Sequence, residues 1–545
     1  MERHLATLWE HVADAVPDAT AVVQGDVRLT YRELDDRAAR LASVLLDAGL
    51  GAGSKVAQYL YNSPAYVESF AAALKIRGVP VNVNYRYLDD ELLYLLENSE
   101  AEALVFHASL GDRVARIAGR ATGVKLFLEV DDAEAGGDRV AVPGARPYDA
   151  TVAAATPAGR IERDPTDILL LYTGGTTGMP KGVMTKVGTA VDGAIGTIAS
   201  VTGLPPAADV AEVPELVRTF VADNGQFVTM PACPLMHGTG MAALAPTLGG
   251  GGKLVLLAGR GLDVDELWST VEREGVNSLV IVGDAFARPM LRGLREGPTR
   301  DLACVKYLFS AGAMFSAEVR EGLLDELPTA AIVDNIAASE GGMGVALSTK
   351  GNIVPTGSFL PNPGVKLFTE DGVEVTPGSD EIGMVAVPGA IPDGYFHDTE
   401  KTARTFREFG GVRYSIPGDW GTIGADGILT LLGRGSQCIN TGGEKVFPEE
   451  VEEVLKVHPS VEDALVFGLP DERFGQRIAA VVSLAPGADP IDDPKAIVDA
   501  VRERISSYKL PRDVVVVDVV PRAANGKADY PRARELFESA SSPRQ

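Results

Sequence analysis

Cysteine is scarce: 545 residues hold three, Cys233, Cys304 and Cys438, far apart and odd in number. No C-x-x-C pair occurs, which argues against a disulfide framework or a cysteine-based zinc site and points to small core residues in a reducing compartment. Long apolar runs are also lacking. The longest, residues 241–248, is interrupted by Pro246 and runs into four glycines, well short of the roughly 20 residues a membrane span needs. The opening Met1-Glu2-Arg3-His4 leads into a charged amphipathic segment and not an apolar signal region, so the expected location is cytoplasmic. Basic side chains are outnumbered, 50 Lys and Arg against 75 Asp and Glu, for a net charge of −25. That balance repels nucleic acid and anionic lipid, and any anionic ligand must be held by a local site. Length, by contrast, is abundant and predicts at least two domains.

Near the N-terminus, Leu5, Leu8, Trp9 and Val12 recur at helical spacing. Thr30-x-x-Glu33 is a capping box opening a second helix with Leu34, Ala38, Leu41 and Leu45 on its apolar face. Gly49 is placed to end that helix, and residues 56–60 read as a strand. Helices at 68–76 and 88–98 then alternate with strands at 79–83 and 103–106, the pattern of an α/β fold with largely parallel sheets. Residues 131–165 are acidic and rich in Gly, Ala and Pro, and are expected to be surface connection. Residues 203–226 read as a second irregular region, an insertion beside a substrate channel. The glycines at 249–252 lack hydroxyl neighbours and read as a turn into a strand.

After Leu432 the character changes. Gly433-Arg434-Gly435-Ser436 is a small flexible stretch of the kind that joins domains. Pro448 with Glu449 and Glu450 starts a helix whose Val451, Val454 and Leu455 face inward. Strands are expected at 464–467, 478–484 and 514–520, with a helix at 494–506. The division is therefore a large α/β domain, 1–433, and a small mobile α+β domain, 434–545.

Tyr172-Thr173-Gly174-Gly175-Thr176-Thr177-Gly178-Met179-Pro180-Lys181-Gly182-Val183 follows an apolar run at 168–171 and reads as a buried strand running straight into a loop. Its glycines let backbone approach an anion, its threonine hydroxyls add donors and Lys181 adds a mobile charge, which suits a polyphosphate. It is not the G-x-x-x-x-G-K-[ST] loop, because Met179-Pro180 intervene before Lys181. Further along come Cys233-Pro234-Leu235-Met236-His237-Gly238-Thr239-Gly240, the small-residue turn Ser310-Ala311-Gly312-Ala313, and Asn335-Ile336-Ala337-Ala338-Ser339-Glu340-Gly341-Gly342. Tyr414-Ser415-Ile416-Pro417-Gly418-Asp419, Thr441-Gly442-Gly443-Glu444-Lys445-Val446, Phe474-Gly475-Gln476 and Asn525-Gly526-Lys527 follow. Taken singly, a lone histidine is more often structural, Gly-Asp is a turn, and a surface lysine is a solvated charge.

Taken together, these segments resemble the signature motifs of the adenylate-forming superfamily of acyl-CoA synthetases, luciferases and peptide-synthetase adenylation domains, and they span nearly the whole chain. The resemblance implies ATP, Mg²⁺ and coenzyme A as cofactors, and a small-molecule carboxylic acid as substrate. It places Thr173, Gly174, Gly175, Thr176, Thr177, Gly178 and Lys181 around the phosphates, and Ala311, Gly312, Ala313 and Asn335 at the adenine. Ser339 falls to the α-phosphate, Glu340 with Thr176 to Mg²⁺, and Asp419 with Arg434 to the ribose. His237 borders the acyl carboxylate, in a role other than base, since a carboxylic acid is already ionised near neutral pH. Gly283, Asp284, Gly312, Ala338 and Gly341 are carried over to the acyl site, and Gly443, Glu444, Lys445 and Gly475 to the coenzyme A half-reaction. Ser436 is the hinge. Lys527 is the catalytic lysine, acting with Glu340, Thr173 and Lys181.

The chain departs from the superfamily at Ile336, where an aromatic normally stacks on adenine, and at Ala337, which replaces glycine. The 283–289 segment, the 311–315 turn and the Ala-Ser-Glu-Gly-Gly variant look like a branch of actinobacterial ligases for steroid side-chain or long-chain fatty acids. Small residues at 337, 338, 341 and 342 would leave room for such a bulky acid. Two other readings stay open, an enzyme loading a free carrier protein and a non-enzymatic nucleotide sensor, although a sensor has no need of Lys527. A homodimer is also left open.

Overall fold

The computed structural model describes residues 3–132, 140–175, 178–441, 444–471, 475–491, 493–523 and 526–541. The helix Leu5–Ala15 buries Leu5, Leu8, Trp9 and Val12. Thr30 and Glu33 cap Tyr31–Asp47 reciprocally, and Leu34, Ala38, Leu41 and Leu45 are buried as their spacing predicts.

Three sheets organise the chain. An eight-stranded sheet runs in the order Gly394–Tyr395, Gly178–Lys186, Ile168–Gly175, Val79–Asn82, Lys55–Tyr59, Ala101–His107, Leu126–Val130, Ala145–Pro147. Its last six strands are parallel, whereas the first three alternate in direction. A larger sheet has a parallel half, Lys253–Leu256, Val228–Pro231, Ser278–Ile281, Tyr307–Ala311 and Ala331–Ala338. It continues through the antiparallel strands Gly341–Thr349, Ser358–Pro361, Leu429–Arg434 and Asp419–Ile423. The third sheet belongs to the small C-terminal domain and is built on the long hairpin Val461–Asp471 with Gly475–Leu484. The architecture is thus the expected α/β one, a large domain followed by a small α+β domain.

Several local expectations need correction. Residues 131–165 are not mere connection: they contain Ala145–Pro147 and the helix Tyr148–Ala154, whose buried Tyr148 hydroxyl donates to Glu68 at 2.7 Å. Residues 203–226 contain the helix Val213–Asn224, anchored by Val213 and Val217 one turn apart. In the small domain the helix Lys495–Ala500 and the strand Asp513–Val516 are shorter than anticipated. The final helix Tyr530–Ser541 went unread because few apolar side chains, chiefly Ala533 and Phe537, mark its buried stripe among charged neighbours. None of the three cysteines is in a disulfide, and among the described residues no helix is long and apolar enough to cross a membrane.

Candidate active site

The threonine-glycine stretch is a strand pair more than a loop. Thr173 opposes Lys181 and Gly175 opposes Gly178, with an irregularity between Thr173 and Gly175. Residues 176 and 177 at the tip lie outside the described residues, and with them the expectations for Thr176 and Thr177. Lys181 is ion-paired with Asp398, which also caps the helix Thr399–Thr405 through the Lys401 N–H at 2.8 Å. Lys181 must therefore exchange that partner to reach a phosphate. Buried Asn82 links this hairpin to the histidine segment: its amide donates to the carbonyls of Tyr172 (2.8 Å) and Met236 (2.6 Å).

Ser339 and Glu340 form the turn between Ala331–Ala338 and Gly341–Thr349, and Glu340 is buried. One of its oxygens accepts a hydrogen bond from the Tyr395 hydroxyl. Tyr395 in turn pairs its backbone with Val183 of the hairpin, and the Lys401 ammonium lies 4.0 Å above its ring. Tyr395, Asp398 and Lys401 escaped the sequence reading, since a two-residue strand carries no periodicity. Only Asp398 had a signal, as an acidic cap before Thr399.

Asp419 and Arg434 stand opposite each other on paired strands, with Arg434 Nε donating to Asp419 Oδ1 at 3.4 Å. Asp419 Oδ2 is buried without a partner, and burial raises its carboxyl pKa against the pull of Arg434. An acceptor left in this state suits a ligand hydroxyl. Lys527 reaches the same place from the small domain. Its Cε is 3.8 Å from where a Cβ on Gly312 would stand, an ordinary contact, and the φ of +90° is what favours glycine at 312. The Lys527 side chain meets solvent through the open cleft but is flanked by protein. Burial lowers its pKa, as does Arg434, while Glu340 and Asp419 oppose them.

The lysine loop is staked in position. Arg522 binds Asp463 at 2.5 and 2.7 Å and donates to the Gly526 carbonyl at 3.2 Å, and the Ala523 N–H donates to the Lys527 carbonyl at 2.8 Å.

His237 keeps a buried, unpartnered Nε2, and burial, with the charges of Lys527 and Arg86 adding to it, pushes its pKa down to about 4, so the ring is neutral. Thr239 Oγ1 donates to the Ala311 carbonyl at 3.3 Å, and the Gly283 N–H to Ser310 Oγ at 3.1 Å, so the 237–240, 283 and 310–313 segments adjoin. Asp284, expected at the acyl group, uses one oxygen to accept from the Ser316 N–H and hydroxyl at 2.9 and 3.1 Å. Gly341 and Ala338, expected at the acyl group, adjoin apolar side chains of the large domain. Gly341 packs on Val387 and Ile391, and Ala338 lies against the apolar cluster of Val385, Val387 and Met343. Ile336 is buried in that cluster, and a register shift after it leaves Ala337 exposed. Asn335 stays near the turn, its amide 3.4 Å from the Ser310 carbonyl.

Ser436 lies in a single 3-10 turn, Gly435–Gln437, directly after the strand Leu429–Arg434. Glu444, Lys445 and Gly475 sit on strands of the small domain's own sheet, joined through Thr441, and residues 442, 443 and 472–474 lie outside the described residues. Between the domains is a cleft of about 450 Å³ that reaches Gly526, with Arg86, Arg288 and Arg522 among Pro234, Leu257 and Phe286 in its walls. Among the described residues no three His, Cys, Asp or Glu side chains cluster as a metal site. The buried carboxylate of Glu340, with the charges of Lys527 and Arg434 near it, fits a Mg²⁺ that takes its other ligands from phosphate and water.

A lysine of the small domain and Arg434 at the junction thus come to Glu340 and Asp419 of the large one, and the comparisons with known proteins give the class of enzyme. Residues 9–395 match the AMP-binding enzyme family and residues 450–527 the AMP-binding enzyme C-terminal domain, and the chain belongs to this family. A 3-oxocholest-4-en-26-oate–CoA ligase of Rhodococcus rhodochrous is 40% identical over 98% of this chain and 96% of its own. A medium/long-chain-fatty-acid–CoA/3-oxocholest-4-en-26-oate–CoA ligase of Mycobacterium tuberculosis is 41% identical over 98% of this chain and 96% of its own. Among solved structures, an anthranilate CoA ligase in complex with anthranoyl-AMP superposes with a TM-score of 0.83 at 23% identity, covering 98% of this chain and 97% of its own, a likeness of fold.

Proposed function

We propose that the enzyme is an AMP-forming acyl-CoA synthetase for bulky hydrophobic carboxylic acids, either long-chain fatty acids or steroid side-chain acids. The observation that carries the reaction is that Lys527, beside Gly312, is electrostatically coupled to Glu340, Asp419 and Arg434. The substrate class rests on relatives about 40% identical along nearly the whole chain.

In the first half-reaction the acid's carboxylate oxygen attacks the α-phosphorus of ATP and the bond to pyrophosphate breaks. Acyl-AMP remains. The reaction is mainly positioning and charge neutralisation. Asp419 Oδ2 accepts from the ribose, Thr173 and Lys181 flank the departing phosphates, and Lys527 offsets charge on the oxygens in flight. Mg²⁺, held by Glu340, would supply further charge neutralisation at the phosphates. Neutral His237 borders the acid and does not repel or trap it by charge.

In the second half-reaction the coenzyme A thiol, losing its proton, attacks the acyl carbon and the bond to AMP breaks. We place the domain boundary at 433/434 and the pivot at Ser436, so that rotation withdraws Lys527 and presents the 441–445 segment. The arginine-bearing cleft offers phosphate partners along apolar walls, which suits a long thiol arm ending in phosphates. Dependence on ATP and coenzyme A is consistent with a cytoplasmic setting.

The test is ATP-dependent AMP release, with and without coenzyme A, across acetate, medium and long fatty acids, benzoate and a sterol side-chain acid. Coenzyme A-dependent turnover peaking on one bulky acid is expected. Lys527→Ala should abolish adenylate formation yet leave thioester formation from preformed acyl-AMP largely intact. Adenylation without coenzyme A dependence would point instead to a carrier protein as acceptor, and equal loss of both half-reactions in the variant would sink the division of labour.

A further inference from the structure

Lys456, the last residue of the small domain's helix Pro448–Lys456, is only 6% exposed, and its ammonium lies against the large domain. Its Nζ is 3.6 Å from Met314 Sδ and 3.9 Å from Asp284 Oδ2. Asp284 is already tied through its other oxygen to Ser316 at the start of the helix Ala317–Glu326, and Arg288 Nε stands 3.3 Å from Oδ2. The Asp284 N–H donates to the Met314 carbonyl at 2.9 Å. Gly283, at φ +51°, brings the chain so close that a Cβ there would lie 2.2 Å from that same carbonyl. Residues 283–284 and 314–316 thus form one wall. It adjoins Gly312 and the His237 segment through the Ser310 and Thr239 hydrogen bonds.

On the small-domain side, Lys456 is electrostatically coupled to Glu452 and Asp463. Asp463 also holds Arg522, and Arg522 holds the loop of Lys527. A continuous run of charges therefore connects the lysine at the reacting phosphate with the lysine at the wall. Because both sit on one folded unit, they arrive and leave together.

We propose that Lys456 is a positioning residue that makes the wall beside the acyl group depend on the posture of the small domain. While Lys527 is in the cleft, the Lys456 ammonium clamps Asp284 and Met314. When the small domain turns, Asp284 keeps only Ser316 and Arg288, and the wall loosens around the activated acyl group. The inference rests on the two-step reading above.

The test compares wild type with Lys456→Met, which keeps length and packing, Lys456→Arg, which keeps charge, and Asp284→Asn, which disturbs the contact from the other side. Measured for each are acid KM and kcat by pyrophosphate release, ATP KM, thioester formation from preformed acyl-AMP, and Tm. Lys456→Met and Asp284→Asn should each raise acid KM about tenfold, the loss of one charge-assisted contact. The ATP KM and the thioester step should stay within about twofold, Lys456→Arg should recover most of the loss, and the double variant should be no worse than either single one. Unchanged acid KM in a folded variant overturns the proposal, as does a parallel fall of both half-reactions with Tm. Absence of acid-dependent pyrophosphate release in wild type would instead overturn the two-step reading.

Discussion

Arg522 is not assigned a reacting atom, yet the structure makes it responsible for where Lys527 stands. Its guanidinium makes two contacts with Asp463, at 2.5 and 2.7 Å, and one with the Gly526 carbonyl at 3.2 Å. Only the last bears directly on the loop. A hydrogen bond from a charged donor contributes about 1.5–3 kcal/mol, and the low end applies because the Ala523–Lys527 and Gly526–Ala523 backbone bonds remain. About 1.5 kcal/mol corresponds to roughly a tenfold loss of adenylation rate. Arg522→Ala also strands Asp463, largely enclosed and electrostatically near Lys456, and breaking a buried pair costs up to about 3–5 kcal/mol of stability, less here because Lys456 remains. Arg522→Lys retains a charge for Asp463 but loses the fork that reaches the carbonyl, so the kinetic loss should persist while most of the stability returns. The assay is pyrophosphate release beside single-turnover thioester formation from preformed acyl-AMP, with a thermal melt for each variant. Wild-type adenylation by Arg522→Lys, or an equal fall in both half-reactions, would refute the reasoning.

Two further outcomes follow from the same site. Asp419→Asn turns the unpartnered buried acceptor into a donor facing a hydroxyl and should weaken ATP binding about 10- to 100-fold by calorimetry, the range of one charge-assisted hydrogen bond; an unchanged Kd would remove Asp419 from the ribose. Glu449, beside Gly433 at the domain junction, has its carboxyl pushed up to about 8 by burial, with Glu452 adding and the Arg434 backbone opposing. Below pH 4.5 the group is protonated in both folded and unfolded chains, and between 4.5 and 8 only the unfolded chain ionises. Stability contributed at this position therefore declines as pH rises through that window and levels off above it. Glu449→Gln should raise Tm at pH 8 and lose the advantage near pH 4.5, and a gain independent of pH would contradict the assignment.

Much of this was legible from residue patterns. The Thr30–Glu33 box, the alternation from Leu5 to Phe106 and the order of the motifs specify the α/β plan, because local caps and periodicity are properties of contiguous sequence. Orientation at the site was less accessible. Ile336 turns into the core through a register shift that no pattern announces, and Asp284 is engaged by Ser316 and Lys456, the latter 172 residues away. Tyr395 matters because a two-residue strand happens to add to one edge of a sheet, and such pairing leaves no local trace.

That small edge strand has a consequence for synthesis of the chain. Until Gly394–Tyr395 emerges, the strand Gly178–Lys186 is the open margin of its sheet, with unpaired backbone donors and acceptors that invite pairing with another chain. Roughly 200 residues separate the two, which at about 5–20 residues per second is about 10–40 s of translation. During that interval Val183 and Met184 stand on an unfinished border, and Lys181 and Lys186, whose later partners Asp398 and Asp393 have not been made, act as charged guards against association.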